Sequence, residues 1–498
     1  MAYSESNKDI INDAENIELN TDIKETNADP GSNDVKEQTD GRKENKMGVL
    51  PVNRLLITMS LPMMASMLVQ SLYNIVDSIF VSRIAEDALT AVSMAFPLQM
   101  LMIALAGGTG VGINAILSRS LGEKEYDTAN KAAVNGIFLA ALSYILFLII
   151  GFTVVKPFYM GQTDDAEIIE YGVQYLTIVL SCSFGIFGQF IFERLLTSTG
   201  RTLLSMITQG TGAIINLILD PILIFGLLGA PKLGVKGAAI ATVCGQIVAA
   251  ILACILNIKK NPDIHISFKG FRPDGRMIGN IYKIGVPSII MQAIGSVMVY
   301  ILNKILITFS STAVAVFGVY FKLQSFVFMP VFGMNNGMIP IVAYNYGAEK
   351  KDRMMKTWKL AWTYASAIML IGVIAFEAIP DVLLGFFDAS ADMTAMGRVA
   401  LRIIAVHFPI AAYCIVTGSM FQALGTSVYS MIVSIMRQIV VLIPAAYLLS
   451  LLGNVDFVWW SFPIAELMSA VATTFFFKRI YDKTIKHIGE SSEAAGNA

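Results

Sequence analysis

The chain has 498 residues, 55% of them hydrophobic and only 15% charged, with a mean hydropathy of +0.63. A soluble globular surface needs more charge than that, so a water-soluble protein of this size is excluded. The net charge of −1 hides an asymmetry: residues 1–46 hold twelve Asp and Glu against six Lys and Arg, and the rest is net basic.

Residues 1–46 have almost no large apolar side chains and no cleavable signal pattern, which predicts a disordered acidic cytosolic tail. Apolar runs follow that are long enough to cross a bilayer, which takes about 20 residues per helix. Twelve are predicted, over 54–82, 88–118, 131–155, 167–192, 202–228, 236–258, 279–308, 312–345, 356–380, 394–423, 428–451 and 456–480. The expected organisation is a first lobe over 47–258, a basic cytosolic connection over 259–278, a second lobe over 279–485 and a C-terminal tail over 486–498. The expected fold is an all-α polytopic membrane protein of twelve transmembrane helices. Cys182, Cys244, Cys254 and Cys414 all lie in apolar runs without ligand spacing, so neither a metal site nor a disulfide is expected.

Orientation follows from the basic residues of the loops. Alternate loops and the C-terminal end, counting Arg194 and Arg201 between the fourth and fifth runs, carry twenty Lys and Arg against five opposite. Both termini are therefore expected in the cytoplasm, with the protein in the cell membrane.

The chain repeats itself at an offset of 225 residues. Pro62 matches Pro287, and "AFPLQM" (95–100) matches "YFKLQS" (320–325). Gly108 and Gly112 match Gly333 and Gly337, Gly122 matches Gly347, and Gly200 matches Gly425. The register loosens in the last two runs of each half. Six runs per half is an even number, so the repeats are parallel, related by a pseudo-two-fold axis along the membrane normal. That is a transporter design, with sites near mid-membrane and alternating access by rocking of one half on the other.

Polarity breaks this symmetry. Asp77 and Asp220 have Leu302 and Ala445 as their partners at the offset, so only the first half carries these acids. A central Asp costs about 2.5–3.5 kcal/mol on insertion scales, which makes each a candidate functional group. Gln70, Tyr73 and Asn74 share a helical stripe with Asp77. In "NLILDP", Asn216 and Asp220 stand at i and i+4, and Pro221 frees the carbonyl of Leu217. Thr242 adds a hydroxyl, and Gln246 lies one turn further on. Carboxylate, amide and carbonyl oxygens suit a small cation such as Na⁺ at Asp77, Asp220 and Asn216. Two buried acids close together suit a shared proton equally well. Structural helix-to-helix hydrogen bonding is the alternative reading of these polar residues.

"QSLYNIVDSIFVSRI", "NLILDPILIF", "GVKGAAIATVCGQ" and the paired "SLG"/"NYGAEK" loops resemble the multidrug and toxin extrusion (MATE) family over residues 50–480, most closely its MepA-type bacterial branch. The resemblance implies a twelve-helix, two-lobed antiporter that expels cationic amphipathic drugs against inward H⁺ or Na⁺. It implies cation coupling at Asp77, Asn216, Asp220 and Thr242. The NorM branch also uses acids in the seventh and tenth helices; residues 291–300 and 407–416 have none, so coupling is expected to rest on the first lobe.

Among the remaining features, "GGTGVG" (107–112) lies inside a predicted span without a preceding strand and reads as helix packing rather than a phosphate loop. Lys322 and Arg437 are expected near helix ends, Lys304 nearer a helix centre, and His407 as a structural histidine. Met67, Met291, Met298, Met334 and Met338 are candidates for an adaptable inter-lobe cavity lining. Cation-coupling candidates are thus Asp77, Asp220, Asn216 and Thr242; substrate-cavity candidates are Gln70, Tyr73, Asn74, Gln246, Met291 and Lys304. The expected partners are small cationic substrates and membrane lipid, with no nucleic acid, no cofactor beyond the coupling ion, and a monomeric state. A flippase or exporter of a lipid-linked or polar metabolite is the alternative. An intramembrane enzyme is disfavoured because no HExxH or GxSxG motif is present.

Overall fold

The computed structural model describes residues 44–387 and 390–489, and every regular element among them is a helix. After a short α1 (Lys46–Val49), the first lobe consists of α2 (Val52–Ser82), α3 (Glu86–Met94), α4 (Phe96–Gly122), α5 (Tyr126–Thr153), α6 (Val155–Met160), α7 (Ala166–Ser181), α8 (Phe184–Ser198), α9 (Thr202–Phe225) and α10 (Val235–Lys260). The second consists of α11 (Gly275–Leu306), α12 (Ser311–Gly347), α13 (Lys351–Ala378), α14 (Pro380–Gly385), α15 (Ala391–Ala405), α16 (Phe408–Ala423), α17 (Ser427–Ile435), α18 (Ile443–Ser450), α19 (Val455–Trp459) and α20 (Ser461–Ile480). Among the described residues, ten helical stretches are long and apolar enough to span a membrane, three of them (α3–α4, α17–α18 and α19–α20) made of consecutive helices. Two pairs, α7–α8 and α15–α16, are bent by 43° and 49°; counted as one span each they bring the total to twelve.

The repeat is written into the helix boundaries. Tyr126, Ala166, Thr202 and Phe225 each mark a helix end whose counterpart 225 residues on is also a helix end: Lys351, Ala391, Ser427 and Ser450. The register therefore persists through the fifth span, one span longer than the sequence suggests. It slips where the connection 226–234 is replaced by the shorter 451–454. Beyond that slip the last span of each lobe aligns at an offset of 220, Val235–Lys260 on Val455–Ile480.

One departure is local. Between α17 and α18 the chain widens into π-helical turns over Met436–Leu442, where α9 is continuous. Pro444 at the end of these turns has no N–H to give the carbonyl four residues back, but α9 carries Pro221 and stays α-helical, so a proline alone does not account for the difference.

Most of the tail expected over 1–46 lies outside the described residues, but its end is ordered. Asn45 caps α1 through its side chain, accepting from the Met47 N–H at 3.0 Å, and Met47 is fully buried. The boundary of the folded body is therefore at or before Glu44. The last residues, 490–498, also lie outside the described set.

Candidate cation and substrate site

The site is assembled where α9 meets α10 and α2. The first two helices cross at Gly212 and Gly245: a Cβ on either would stand under 3 Å from the other's carbonyl oxygen. Only glycine permits this approach, and it brings Asn216 to Thr242. With its amide turned to satisfy both ends, Asn216 donates to Asp220 Oδ2 at 3.2 Å and accepts from the Thr242 hydroxyl at 3.3 Å and N–H at 3.1 Å. Asp220 is fully buried, and its carboxyl group lies within hydrogen-bonding reach of that of Asp77. Asp77 Oδ1 is buried with no partner. A pair of carboxyl groups with an uncommitted oxygen, backed by an amide and a hydroxyl, is chemically equipped to hold a proton or a small hard cation.

Tyr73, Asn216 and Thr242 open onto an internal cavity of about 110 Å³. Gln70 and Gln246 line it as well; Gln70 accepts from Gln209 at 3.0 Å, while Gln246 Oε1 is buried and unpartnered. Met63, Met67 and Phe190 supply its apolar wall. The Asn74 side chain lies outside the described set.

Two expected lining residues are not brought here. Met291 is half-buried on α11 away from the cavity. Lys304 is exposed in the last turn of α11, not near its centre, with its ammonium 5.8 Å from the Tyr300 ring centroid. Met334 and Met338 are packed in the core, and Met298 belongs to a separate cavity in the second lobe.

Sequence reasoning missed the two charges at the far end of the cavity, Glu193 and Arg194. The predicted fourth span stops at residue 192, and Arg194 was counted as a loop residue; α8 in fact runs on to Ser198. Glu193 accepts from Gln189 at 3.0 Å and from Thr208 at 3.1 Å. Arg194 donates to Asn336 of the second lobe at 3.0 Å. The available signal was Gln189 and Glu193 at i and i+4 on the end of an apolar run. Arg437, expected near a helix end, instead pairs inside the second lobe with Glu466 at 3.1 Å. Lys322 is exposed beside the Phe387 ring, and His407 is buried with Nδ1 on the Ile404 carbonyl.

The MatE family model matches this chain twice, over residues 62–222 and 287–448, which are again the two repeats. Among curated proteins, "Multidrug export protein MepA" of Staphylococcus aureus (strain MSSA476) is 28% identical over 426 residues, covering 85% of this chain and 92% of the relative. Its namesake in Staphylococcus haemolyticus (strain JCSC1435) is 27% identical over 424 residues, with the same coverage. Among solved structures, one described as the outward-facing conformation of a multidrug resistance MATE family transporter superposes with a TM-score of 0.84 at 26% identity. It covers 89% of this chain and 99% of its own. A MOP superfamily transporter from Pyrococcus furiosus, whose title reports a reversed polarity of its binding pocket, gives 0.81 with the same identity and coverage. The chain therefore belongs to the MatE family, whose members are membrane transporters and not enzymes.

Proposed function

We propose that the protein is a secondary antiporter of the cell membrane that exports amphipathic organic cations in exchange for H⁺ or Na⁺, with both termini in the cytoplasm. The observation that carries this reading is the continuity of the cavity. One end is walled by Asn216 and Thr242, which lead to the Asp77–Asp220 pair; the other carries Glu193. Ion and substrate thus address one cavity, which must widen beyond its about 110 Å³ to take a drug-sized molecule. An organic cation would set its charge against Glu193 and its apolar body against Met63, Met67, Phe190 and Tyr73.

The thermodynamics then follow from linkage. The incoming ion neutralises the Asp pair and favours the arrangement of α2 and α9 that this neutral pair allows. Substrate favours the other, so each weakens the other's binding by the same factor. Lipid surrounds the apolar exterior, and the protein works as a monomer, because each polypeptide contains both lobes. The cavity lining holds a single cationic side chain, Arg194, already engaged by Asn336, which disfavours the flippase alternative: a pyrophosphate needs several free cations.

The test is ethidium efflux from proteoliposomes of the full chain, driven by an imposed pH gradient or by an imposed Na⁺ gradient. Uphill efflux under one gradient supports antiport and names the ion. Efflux that only runs down the ethidium gradient under both would refute it.

A further inference from the structure

Two grooves between the lobes are related by the repeat: α5 against α11, and α13 against α2. Their chemistry differs. Arg276 and Lys283 of α11 stand where the other groove has Pro51 and Thr58. Asn135 and Phe138 of α5 stand where α13 has Leu360 and Thr363. The α13–α2 groove is bridged by a hydrogen bond from the Tyr364 hydroxyl to Asn53. The α5–α11 groove is crossed by the connection that joins the two lobes.

That connection is pinned to α5. The His265 N–H donates to Asn130 Oδ1 at 2.6 Å, and the Asp274 N–H to Asn135 Oδ1 at 3.1 Å. Between the pins the chain makes a tight turn over Phe268–Phe271, closed by the Phe271 N–H on the Phe268 carbonyl at 3.1 Å. Gly270, third in the turn, holds φ +73°, a conformation that a side chain would strain. The turn sets the Phe271 ring against two others, Phe138 of α5 at 5.8 Å and Phe268 at 6.0 Å between centroids. Phe268 itself is 53% exposed.

The turn stands where both helices change character. Asn135 is the last charged or amide side chain of α5, and on α11 Lys283 is the last before Gln292, more than two turns on. Exposed Val286, Ile290 and Val297 continue the face of α11 that carries Arg276 and Lys283. An exposed aromatic ring at such a boundary marks the membrane–water interface. Lys269, Arg272, Arg276 and Lys283 are all exposed there, and among the described residues none is in an ion pair. The acids of the connection are already engaged. Asp263 pairs with Arg201 at 2.7 Å, and Asp274 caps α11 by accepting from the N–H groups of Arg276 and Met277.

Unpaired cations at an interface, continued by an apolar face, are complementary to a molecule with an anionic head and apolar chains. An acidic peptide would match the cations and leave the apolar face uncovered. A phospholipid of zero net charge would cover that face but bring its own cation among the four.

We propose that the α5–α11 groove is a seat for an anionic phospholipid. Its phosphate is held by Lys269, Arg272, Arg276 and Lys283, and its chains lie along Val286, Ile290 and Val297. The two guanidinium groups offer paired N–H donors that fit phosphate oxygens, and the two ammonium groups add charge. Phe268 is the wedge that holds the turn at the interface. The lipid sits where the connection leaves the first lobe and α11 begins the second, so its binding responds to how the lobes are arranged. The seat does not depend on the antiport reading.

Native mass spectrometry of the full chain, titrated with phosphatidylglycerol or with phosphatidylcholine of the same acyl chains, tests this without transport. The expected result is a retained phosphatidylglycerol, bound at least about tenfold more tightly than phosphatidylcholine. Lys269→Gln/Arg272→Gln/Arg276→Gln/Lys283→Gln should abolish that preference. Lys356→Gln/Lys359→Gln/Lys478→Gln/Lys483→Gln removes the same charge from exposed positions elsewhere and should keep it. A preference that survives the first set, or falls equally in both, would overturn the proposal. A second measurement uses the wild-type chain alone: phosphatidylglycerol with a photoreactive group near its head should label residues 266–286. Labelling no heavier there than on α2 and α13 of the related groove would overturn it as well.

Discussion

Gly122 and Gly347, related by the 225-residue offset, sit against each other's helices at one end of the bundle. A Cβ on Gly122 would collide with the carbonyl oxygen of Tyr344, and one on Gly347 with that of Arg119. The two lobes are therefore in backbone contact on their own symmetry axis, and this end is closed. A side chain at either position must part α4 from α12. Gly122→Val or Gly347→Val should open this end and lower ethidium efflux at least about tenfold, an opening cost of the order of 1.4 kcal/mol. Spin labels on α4 and α12 should report the longer distance. Gly210→Ala, where a Cβ has open space, is the control and should leave both readouts unchanged.

The same end is held by the chain entering the bundle. Asn45 donates to the Thr199 carbonyl of the first lobe at 3.1 Å. From the second lobe, Arg353 donates to the carbonyls of Met47 (3.1 Å) and Leu50 (2.7 Å), and Asn345 to Met47 (3.1 Å). Residues 45–50 thus bridge both lobes and must release one before they part. Arg353→Ala removes two charge-assisted bonds, each worth about 1.5–3 kcal/mol in favourable cases. The expected effect is a shift toward the open arrangement of at least about tenfold, read as faster alkylation of a cysteine placed at Ser118, which is buried behind this seam. Unchanged alkylation would show that the segment is a passenger.

Asn216 holds Asp220 and Thr242 together but carries no charge itself. Asn216→Ala should weaken binding of the coupling ion by about 10- to 100-fold, the value of a hydrogen bond to a charged group, with ethidium binding altered far less. Calorimetric or fluorescence titration of the ion against each variant checks it. Equal losses for ion and ethidium would mean that the variant had disrupted the lobe.

Glu193→Gln keeps the shape and most of the hydrogen bonds of its site while removing the charge. The apparent KM for ethidium should rise about tenfold or more, with a much smaller change for an uncharged amphipathic substrate. A parallel loss for both would assign Glu193 a structural role.

The apolar runs, the repeat and the acids Asp77 and Asp220 were all legible in the sequence, because lipid admits few alternatives to a helix and makes every buried charge conspicuous. Asn216 and Thr242 could be paired with Asp220 only through the resemblance and the helical spacing; the glycine crossing that joins them, Gly212 against Gly245, is invisible until two helices are docked. Glu193 and Arg194 were lost because charges at the end of an apolar run look like a loop. Lys304 failed in the opposite direction: it lies inside an apolar run by sequence, yet in the last turn of its helix. The pairing of Arg437 with Glu466 bridges two spans whose register shifts by five residues between the lobes, so a single offset could not reveal their place opposite Gly212 and Gln246.

The most direct test of the central claim is gradient-driven ethidium efflux in Asp77→Asn and Asp220→Asn, set beside equilibrium ethidium binding to the same purified variants. The account predicts that both variants bind ethidium within a few-fold of wild type and lose all efflux against its gradient. Full uphill efflux in either variant would contradict coupling at the Asp77–Asp220 pair.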